Sequence, residues 1–408
     1  VTSAHPVALS GSSKRYGTGK HPKAPIEKPL AYEGFPRTYY RYGIHPESLG
    51  RRLVSISKPD LIWVTSIMTY WHPGVQQTTA VLRDAFPEAP IWLGGIYAQL
   101  CTSHAMETSG ADRVVTSATA TLPDLLEAAT GYSLKNKIKW HSFCDYPAPA
   151  LDLVGRHEYA PILTSLGCPF SCSYCASKLL QPHRVQRSAD TIFEEIMKWR
   201  REYDICDFAF YDDALLLHAE TTLRPVLEKI CRDGVHLRFH TPNALHIRAL
   251  TPQWCELLYA SGFTTLRLGL ETTSIEKQRK WGGKVETEMF FEAVDNLREA
   301  GFSGNEIGVY LLCGLPGQST GEVAEAIRTV KEAGAQPFLA EYSPLPGTAM
   351  WPEAVALSPY DIENEPLYHN NSFFACRRPD FTYEDLLALK ETARQARHSV
   401  RERCLDHP

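Results

Sequence analysis

The chain has 408 residues, 44% hydrophobic and 22% charged, the balance of a folded globular protein long enough for two domains. Its formal net charge of −5 excludes the basic footprint of a nucleic-acid or anionic-membrane partner. No run approaches the roughly 18 apolar residues of a membrane span and no signal-peptide pattern opens the chain, so a cytoplasmic protein is expected.

Residues 1–30 are rich in Ser, Gly, Lys and Pro and read as an extended arm, with Lys14, Arg15, Lys20, Lys23, Lys28 and Arg37 as a solvated basic cluster. The chain opens on Val1 rather than Met, so upstream residues are expected to be missing. A helix is predicted over 46–57, a strand over Asp60–Ile67, a helix near Val75–Ala85, a strand over Ile91–Leu93 ending in Gly94-Gly95, and a strand over Arg113–Thr116. This alternation predicts a parallel α/β, Rossmann-like domain over 1–130. Pro147 and Pro149 break the rhythm, and 131–160 read as a linker.

The alternation returns over 161–350. Strands are predicted at Ile162–Ser165, Asp207–Tyr211, His236–His240, Thr265–Leu270, Ile307–Leu312 and Pro337–Tyr342. Helices are predicted between them at Ala189–Glu202, Thr221–Asp233, Thr251–Ser261, Val285–Ala300 and Thr320–Ala333. Six βα units suit a partial TIM barrel, (β/α)6, with its chemistry at the C-terminal ends of the strands. A C-terminal extension, 351–408, carries a predicted helix at Tyr383–Arg401. Its segment around Tyr368-His-Asn-Asn371 is read either as a cover for the barrel mouth or as ordinary packing.

Eleven cysteines are too sparse for a disulfide scaffold, and an odd number leaves one unpaired, which fits a reducing compartment. Eight are scattered and read as small buried hydrophobes. The other three, Cys168, Cys172 and Cys175, share one loop directly after the first barrel strand. Soft thiolates suit zinc or an iron–sulfur cluster. Structural zinc wants a fourth ligand, for which His183 is the nearest candidate. A cluster held by three cysteines instead leaves one iron open, where the amino and carboxylate groups of S-adenosylmethionine (SAM) can chelate.

The C-x3-C-x2-C spacing, with Tyr174 before the third cysteine and six βα units behind it, resembles the radical SAM superfamily over about residues 158–350. The resemblance implies a 4Fe–4S cluster on the three cysteines that cleaves SAM to a 5′-deoxyadenosyl radical. It places Tyr174 near the adenine. The flanking Thr164-Ser165-Leu166-Gly167 and Ala176-Ser177 look like the branch holding cobalamin-dependent members and methylthiotransferases.

In Thr265–Glu271 the three leucines share one face, while Thr265, Arg267, Gly269 and Glu271 share the other and point into the barrel. By resemblance Glu271 and Arg267 lie near the SAM ribose or carboxylate; an internal salt-bridge network is the competing reading. Asp212 and Asp213 end the second barrel strand, where the family holds the SAM amino group, and only one of two adjacent residues can face a ligand. Leu312-Cys-Gly-Leu-Pro-Gly317 looks like the adenine-contacting segment, which implicates Gly314 and Pro316, although a generic turn explains it too. Pro344-Leu-Pro-Gly-Thr348 resembles the Pro-Gly-Thr end of the same branch.

In the first domain, Thr65, Ser66, Met68 and Tyr70 follow one strand, and Gly94, Gly95 and Tyr97 follow the next. Loops at the C-terminal ends of parallel strands form the usual ligand crevice. These patterns resemble the cobalamin-binding domain that precedes such barrels. The chain departs from that pattern in three ways: it has no Asp-x-His-x-x-Gly motif, its third strand ends in Val114-Val-Thr-Ser117, and the usual opening strand, helix and strand are not found before residue 30. The resemblance implies cobalamin-dependent methyl transfer to an unactivated carbon of a small-molecule or peptide substrate, with an electron donor such as flavodoxin or ferredoxin. A radical SAM reaction without cobalamin, or a zinc- or cluster-stabilised binding protein, are the alternatives.

Overall fold

In the computed structural model, which describes residues 21–116, 122–133, 143–153 and 157–406, the chain divides into two units. Val1–Glu158 and Tyr360–Asn370 form one; Tyr159–Pro359 and Asn371–Pro408 form the other. Lys14, Arg15, Lys20 and Ser117 lie outside the described residues, as do parts of 131–160.

The first unit opens with a short antiparallel pair, β1 (Lys23–Pro25) and β2 (Tyr40–Tyr42), and helix α1 (Pro46–Leu53). This helix stops short of its predicted end at residue 57. The Ser55 hydroxyl takes the Arg52 carbonyl at 2.9 Å, and the Ile56 N–H turns back to Leu53. A three-stranded parallel sheet follows, β3 (Ile62–Ser66), β4 (Ile91–Gly95) and β5 (Arg113–Val114), in that spatial order. Strand β3 alternates buried and exposed residues, so Ile62, Val64 and Ser66 point inward. Helices α2 (His72–Ala85), α3 (Ile96–Leu100), α4 (Thr102–Thr108) and α5 (Leu122–Thr130) complete the unit. Its core gathers Ile62, Val64, Val75, Ile91, Leu93 and Tyr97.

The second unit is a six-stranded parallel sheet. Strands β6 (Ala160–Ile162), β9 (Asp207–Phe210), β10 (Arg238–His240), β11 (Phe263–Glu271), β12 (Ile307–Cys313) and β13 (Gln336–Glu341) lie side by side in chain order. Between β6 and β9 runs a small antiparallel pair, β7 (Ser165–Leu166) and β8 (Val185–Gln186), and the short α6 (Ser177–Leu180). The returning helices are α7 (Ala189–Tyr203), α8 (Leu223–Arg232), α9 (Pro252–Ala260), α11 (Thr287–Glu299) and α12 (Thr320–Glu332), with α10 (Ile275–Trp281) interposed. Ser188, Thr251, Ser274 and Ser319 cap α7, α9, α10 and α12, each accepting a first-turn backbone N–H that would otherwise be orphaned. Phe208 of β9 packs its ring against Phe239 and Phe210 stacks on Phe263, on the next two strands, while Leu266, Leu268 and Leu270 of β11 are fully buried. Helices α13 (Trp351–Leu357) and α14 (Tyr383–Asp406) close the chain. No helix among the described residues is long and apolar enough to cross a membrane.

One predicted strand breaks in two. The ladder of Ile162–Ser165 ends at Ile162, because the Thr164 and Ser165 N–H groups turn to the Asp212 carboxylate at 3.1 and 2.6 Å. The segment Tyr368–Asn371 does not act as one piece either: it spans the boundary between the units at Asn370, and the Tyr368 hydroxyl donates to the Ala31 carbonyl of the first unit at 2.8 Å.

Candidate active site

The cysteine loop is built by contacts on both sides. On its N-terminal side, Asp212 accepts both backbone N–H and both side-chain O–H groups of Thr164 and Ser165. On its C-terminal side, the Cys175 N–H turns back to the Cys172 carbonyl at 3.1 Å. Ser173 in the middle is clasped twice, donating its N–H to the Trp281 carbonyl at 3.0 Å and accepting the Met350 N–H at 2.8 Å. That second contact is delivered by the Pro-Gly-Thr turn, where Gly347 has φ +80° and the Thr348 hydroxyl closes on the Leu345 carbonyl. Gly282 lies so close that a Cβ there would sit 2.9 Å from the Cys172 sulfur.

The sulfurs face polar company. Cys168 Sγ lies 3.9 Å from His246 Nε2, and Cys175 Sγ accepts the Ser177 N–H at 3.4 Å.

Beside Cys172 sits a largely buried ion pair, Lys284 Nζ to Glu271 Oε1 at 2.6 Å. Glu271 closes β11 with φ +67°, at a register shift against β12 that turns its side chain toward Lys284. Burial alone would lower the Lys284 ammonium, but Glu271 and then Cys172 hold it above its usual range. Burial raises the Cys172 thiol, and Lys284 partly opposes this. Burial and Glu271 push the Tyr174 phenol far up, so it stays neutral. Burial, then Lys284 and Arg248, lower His246 to about 3, so it meets Cys168 as a neutral imidazole.

The structure thus gathers Cys168, Cys172, Cys175, Tyr174 and Glu271. Of the acidic pair, Asp212 is spent on the loop backbone and 2% exposed. Asp213 is exposed, engages Ser177, and acts electrostatically on Cys168. Arg267 does not join the group. Its guanidinium lies 4.6 Å over the Phe338 ring and donates to the Leu266 carbonyl, and the salt bridge that Glu271 makes runs to Lys284 rather than to Arg267. Gly314 and Pro316 are buried, and a Cβ on Gly314 would lie 2.5 Å from Phe374. Gln318 ties that turn together, accepting the Gly314 N–H at 2.8 Å and donating to the Leu312 carbonyl at 2.9 Å. Lys284, His246 and Gly282 went unnoticed in the sequence, where each stands alone without a motif.

In the first unit, Thr65, Met68 and Gly95 are exposed at the C-terminal edge of the sheet, together with Ile67 and Trp71. Gly95 has φ +91°, and a Cβ there would meet the Thr65 hydroxyl at 2.5 Å and the Ser66 carbonyl at 2.6 Å. Ser66 is buried and bonds its hydroxyl to the Met68 carbonyl, Tyr70 packs against Trp71, and Gly94 lies under Trp63. Tyr97 is fully buried with its hydroxyl on His104 at 2.7 Å, so it faces the core rather than the crevice.

Comparison with known proteins bears on this arrangement. Residues 162–330 match the radical SAM superfamily. A protein of Pyrococcus horikoshii described as an uncharacterized methyltransferase is 25% identical over 223 residues, 52% of this chain, and the chain spans about half (47%) of its length. Among solved structures, the radical SAM methyltransferase TsrM from Kitasatospora setae, bound to tryptophan and a SAM analogue, superposes with a TM-score of 0.63 at 18% identity, over 76% of this chain and 67% of its own. The cobalamin-dependent SAM radical enzyme OxsB, bound to aqua-cobalamin and SAM, superposes with a TM-score of 0.54 at 12% identity, over 88% and 55%. The fold is therefore that of an N-terminal Rossmann-like domain followed by a partial TIM barrel, and the three-cysteine loop with the strands behind it lies in the segment that matches the radical SAM superfamily.

Proposed function

We propose that this chain is a radical SAM enzyme in which Cys168, Cys172 and Cys175 hold a 4Fe–4S cluster, and in which cobalamin carried by the first unit serves methyl transfer to an unactivated carbon of a small molecule or peptide. When bound, these groups supply one-electron cleavage of SAM and a transferable methyl group. The carrying observation is the cysteine loop, clasped at Ser173 and set beside the Lys284–Glu271 pair at the C-terminal end of β11. Asp213, exposed next to Cys168, suits the cationic amino group of SAM. Lys284 places a positive charge beside Cys172 and favours its thiolate, the form that binds iron. Neutral His246 approaches Cys168 without adding charge. The exposed Thr65, Ile67, Met68, Gly95 and Trp71 offer a small-residue and apolar rim to a large planar cofactor. A flavodoxin- or ferredoxin-type donor in the cytoplasm would supply the electron.

Anaerobic reconstitution tests the reading. About four irons per chain and a SAM-dependent spectral change are expected, and replacing Cys168, Cys172 and Cys175 by Ala should abolish 5′-deoxyadenosine formation. Persistence of that product in the triple variant would remove the site. The inward-turned Tyr97 and covered Gly94 favour a second reading, a radical SAM reaction without cobalamin. Corrin absorption that copurifies with the protein decides against it.

A further inference from the structure

Away from the cysteine loop, His72, His104 and Glu365 bring one ligand atom each within 4.8 Å of one another, the one such set of three found among the described residues. All three belong to the first unit. His72 is the first residue of α2, His104 lies in α4, and Glu365 caps the turn Pro366–His369 in the returning segment. From this geometry we propose a divalent transition-metal site, with zinc as the leading candidate, that fastens the segment Tyr360–Asn370 to α2 and α4.

The spacing is near that of a metal already. His72 Nε2 and Glu365 Oε1 are 3.1 Å apart, and the two imidazoles meet edge to face with centroids 4.6 Å apart. Ligands on a tetrahedral zinc with bonds of about 2.0–2.1 Å sit about 3.3 Å from each other. The proton count also fits. The Thr108 hydroxyl donates to the His104 carbonyl at 2.8 Å, which can only accept. The Tyr97 hydroxyl, 3.3 Å from Thr108 Oγ1, therefore donates to Thr108 and accepts from His104 Nδ1–H at 2.7 Å. This chain leaves His104 Nε2 with a free lone pair, the form a metal ligand needs, and Tyr97 orients the ring from behind. His72 is 6% exposed, and its Nδ1 has no hydrogen-bond partner, so the protein satisfies only one of its two nitrogens. The nearby His369 has both nitrogens engaged, by Thr69 Oγ1 at 2.9 Å and the Ile362 carbonyl at 2.8 Å, and is not a ligand. Two imidazoles and a carboxylate favour zinc or another late first-row ion over calcium or magnesium, and leave a fourth position open beside the partly exposed Glu365.

The test uses the full chain carrying C168S, C172S and C175S, so that no cysteine loop competes for metal. Titration with Co(II) should saturate at one equivalent with visible bands and no sulfur-to-cobalt charge transfer, and Zn(II) should displace it and raise the melting temperature. On this background H104A and E365Q should each weaken Co(II) binding by at least about tenfold and cancel the Zn(II) shift. E365Q keeps the size and hydrogen-bonding capacity of the side chain, and its melt in chelator checks that it folds. No saturable cobalt spectrum in the parent, or unchanged binding in both variants, would overturn the site. Should both variants fail to fold, the parent spectrum alone decides.

Discussion

Lys284 and Glu271 are both nearly buried and 2.6 Å apart, so each is a liability without the other. Removing one partner of such a pair leaves an uncompensated charge, typically at a cost of about 3–5 kcal/mol, whereas removing both together costs far less. K284M and E271Q should therefore each destabilise the protein strongly, and the double variant should recover at least about 2 kcal/mol relative to their sum. Denaturant melts of the four proteins measure this coupling; additive losses would mean that the pair is not an energetic unit. The alternation on β11 made Glu271 legible and set Arg267 on the same face. It did not reveal depth: four residues at about 3.3 Å of rise separate the two by about 13 Å. Arg267 consequently meets Phe338, and Lys284 takes its place from the segment between α10 and α11.

The cysteine loop is short, and its shape depends on elements distant in sequence. Trp281 and Gly282 end α10, Met350 precedes α13, and both reach Ser173 or Cys172. The spacing of the cysteines is readable in one line of sequence, but these clasps carry no local pattern, since each is a backbone group that any residue type could offer. Gly282 is the exception. With φ +153° and a would-be Cβ 2.9 Å from the Cys172 sulfur, it cannot change without moving that ligand. G282A should fold, since its strain is local, yet take up less iron on reconstitution than the parent. Equal iron and an equal SAM-dependent spectrum would show that the clasp is dispensable. The predicted strand Ile162–Ser165 teaches the same lesson in reverse, because its β-forming residues lost their ladder to the Asp212 carboxylate in the loop after β9.

At the scale of the whole molecule, six consecutive strand and helix patterns were enough to predict a sheet whose strands neighbour one another in chain order, because right-handed crossovers place successive parallel strands side by side. The return of Tyr360–Asn370 to the first unit was not legible. Its Tyr, Pro and His residues have neither period, and its partners lie near the start of the chain. Tyr32 donates to the Leu367 carbonyl at 2.8 Å, Tyr368 donates to Ala31, and the Tyr360 and Tyr368 rings stack 5.1 Å apart. Within the segment, Tyr368 and Asn370 bond their N–H groups to the Glu365 and Leu367 carbonyls. Cooperative units open together, and their amides share one free energy of exchange. In native-state hydrogen exchange on the intact chain, these amides should respond to denaturant in step with those of β3 and β4 and apart from those of α13 and α14. Exchange with the two C-terminal helices, or at the rate of a free loop, would remove the segment from the first unit and with it the tether on which Glu365 is held.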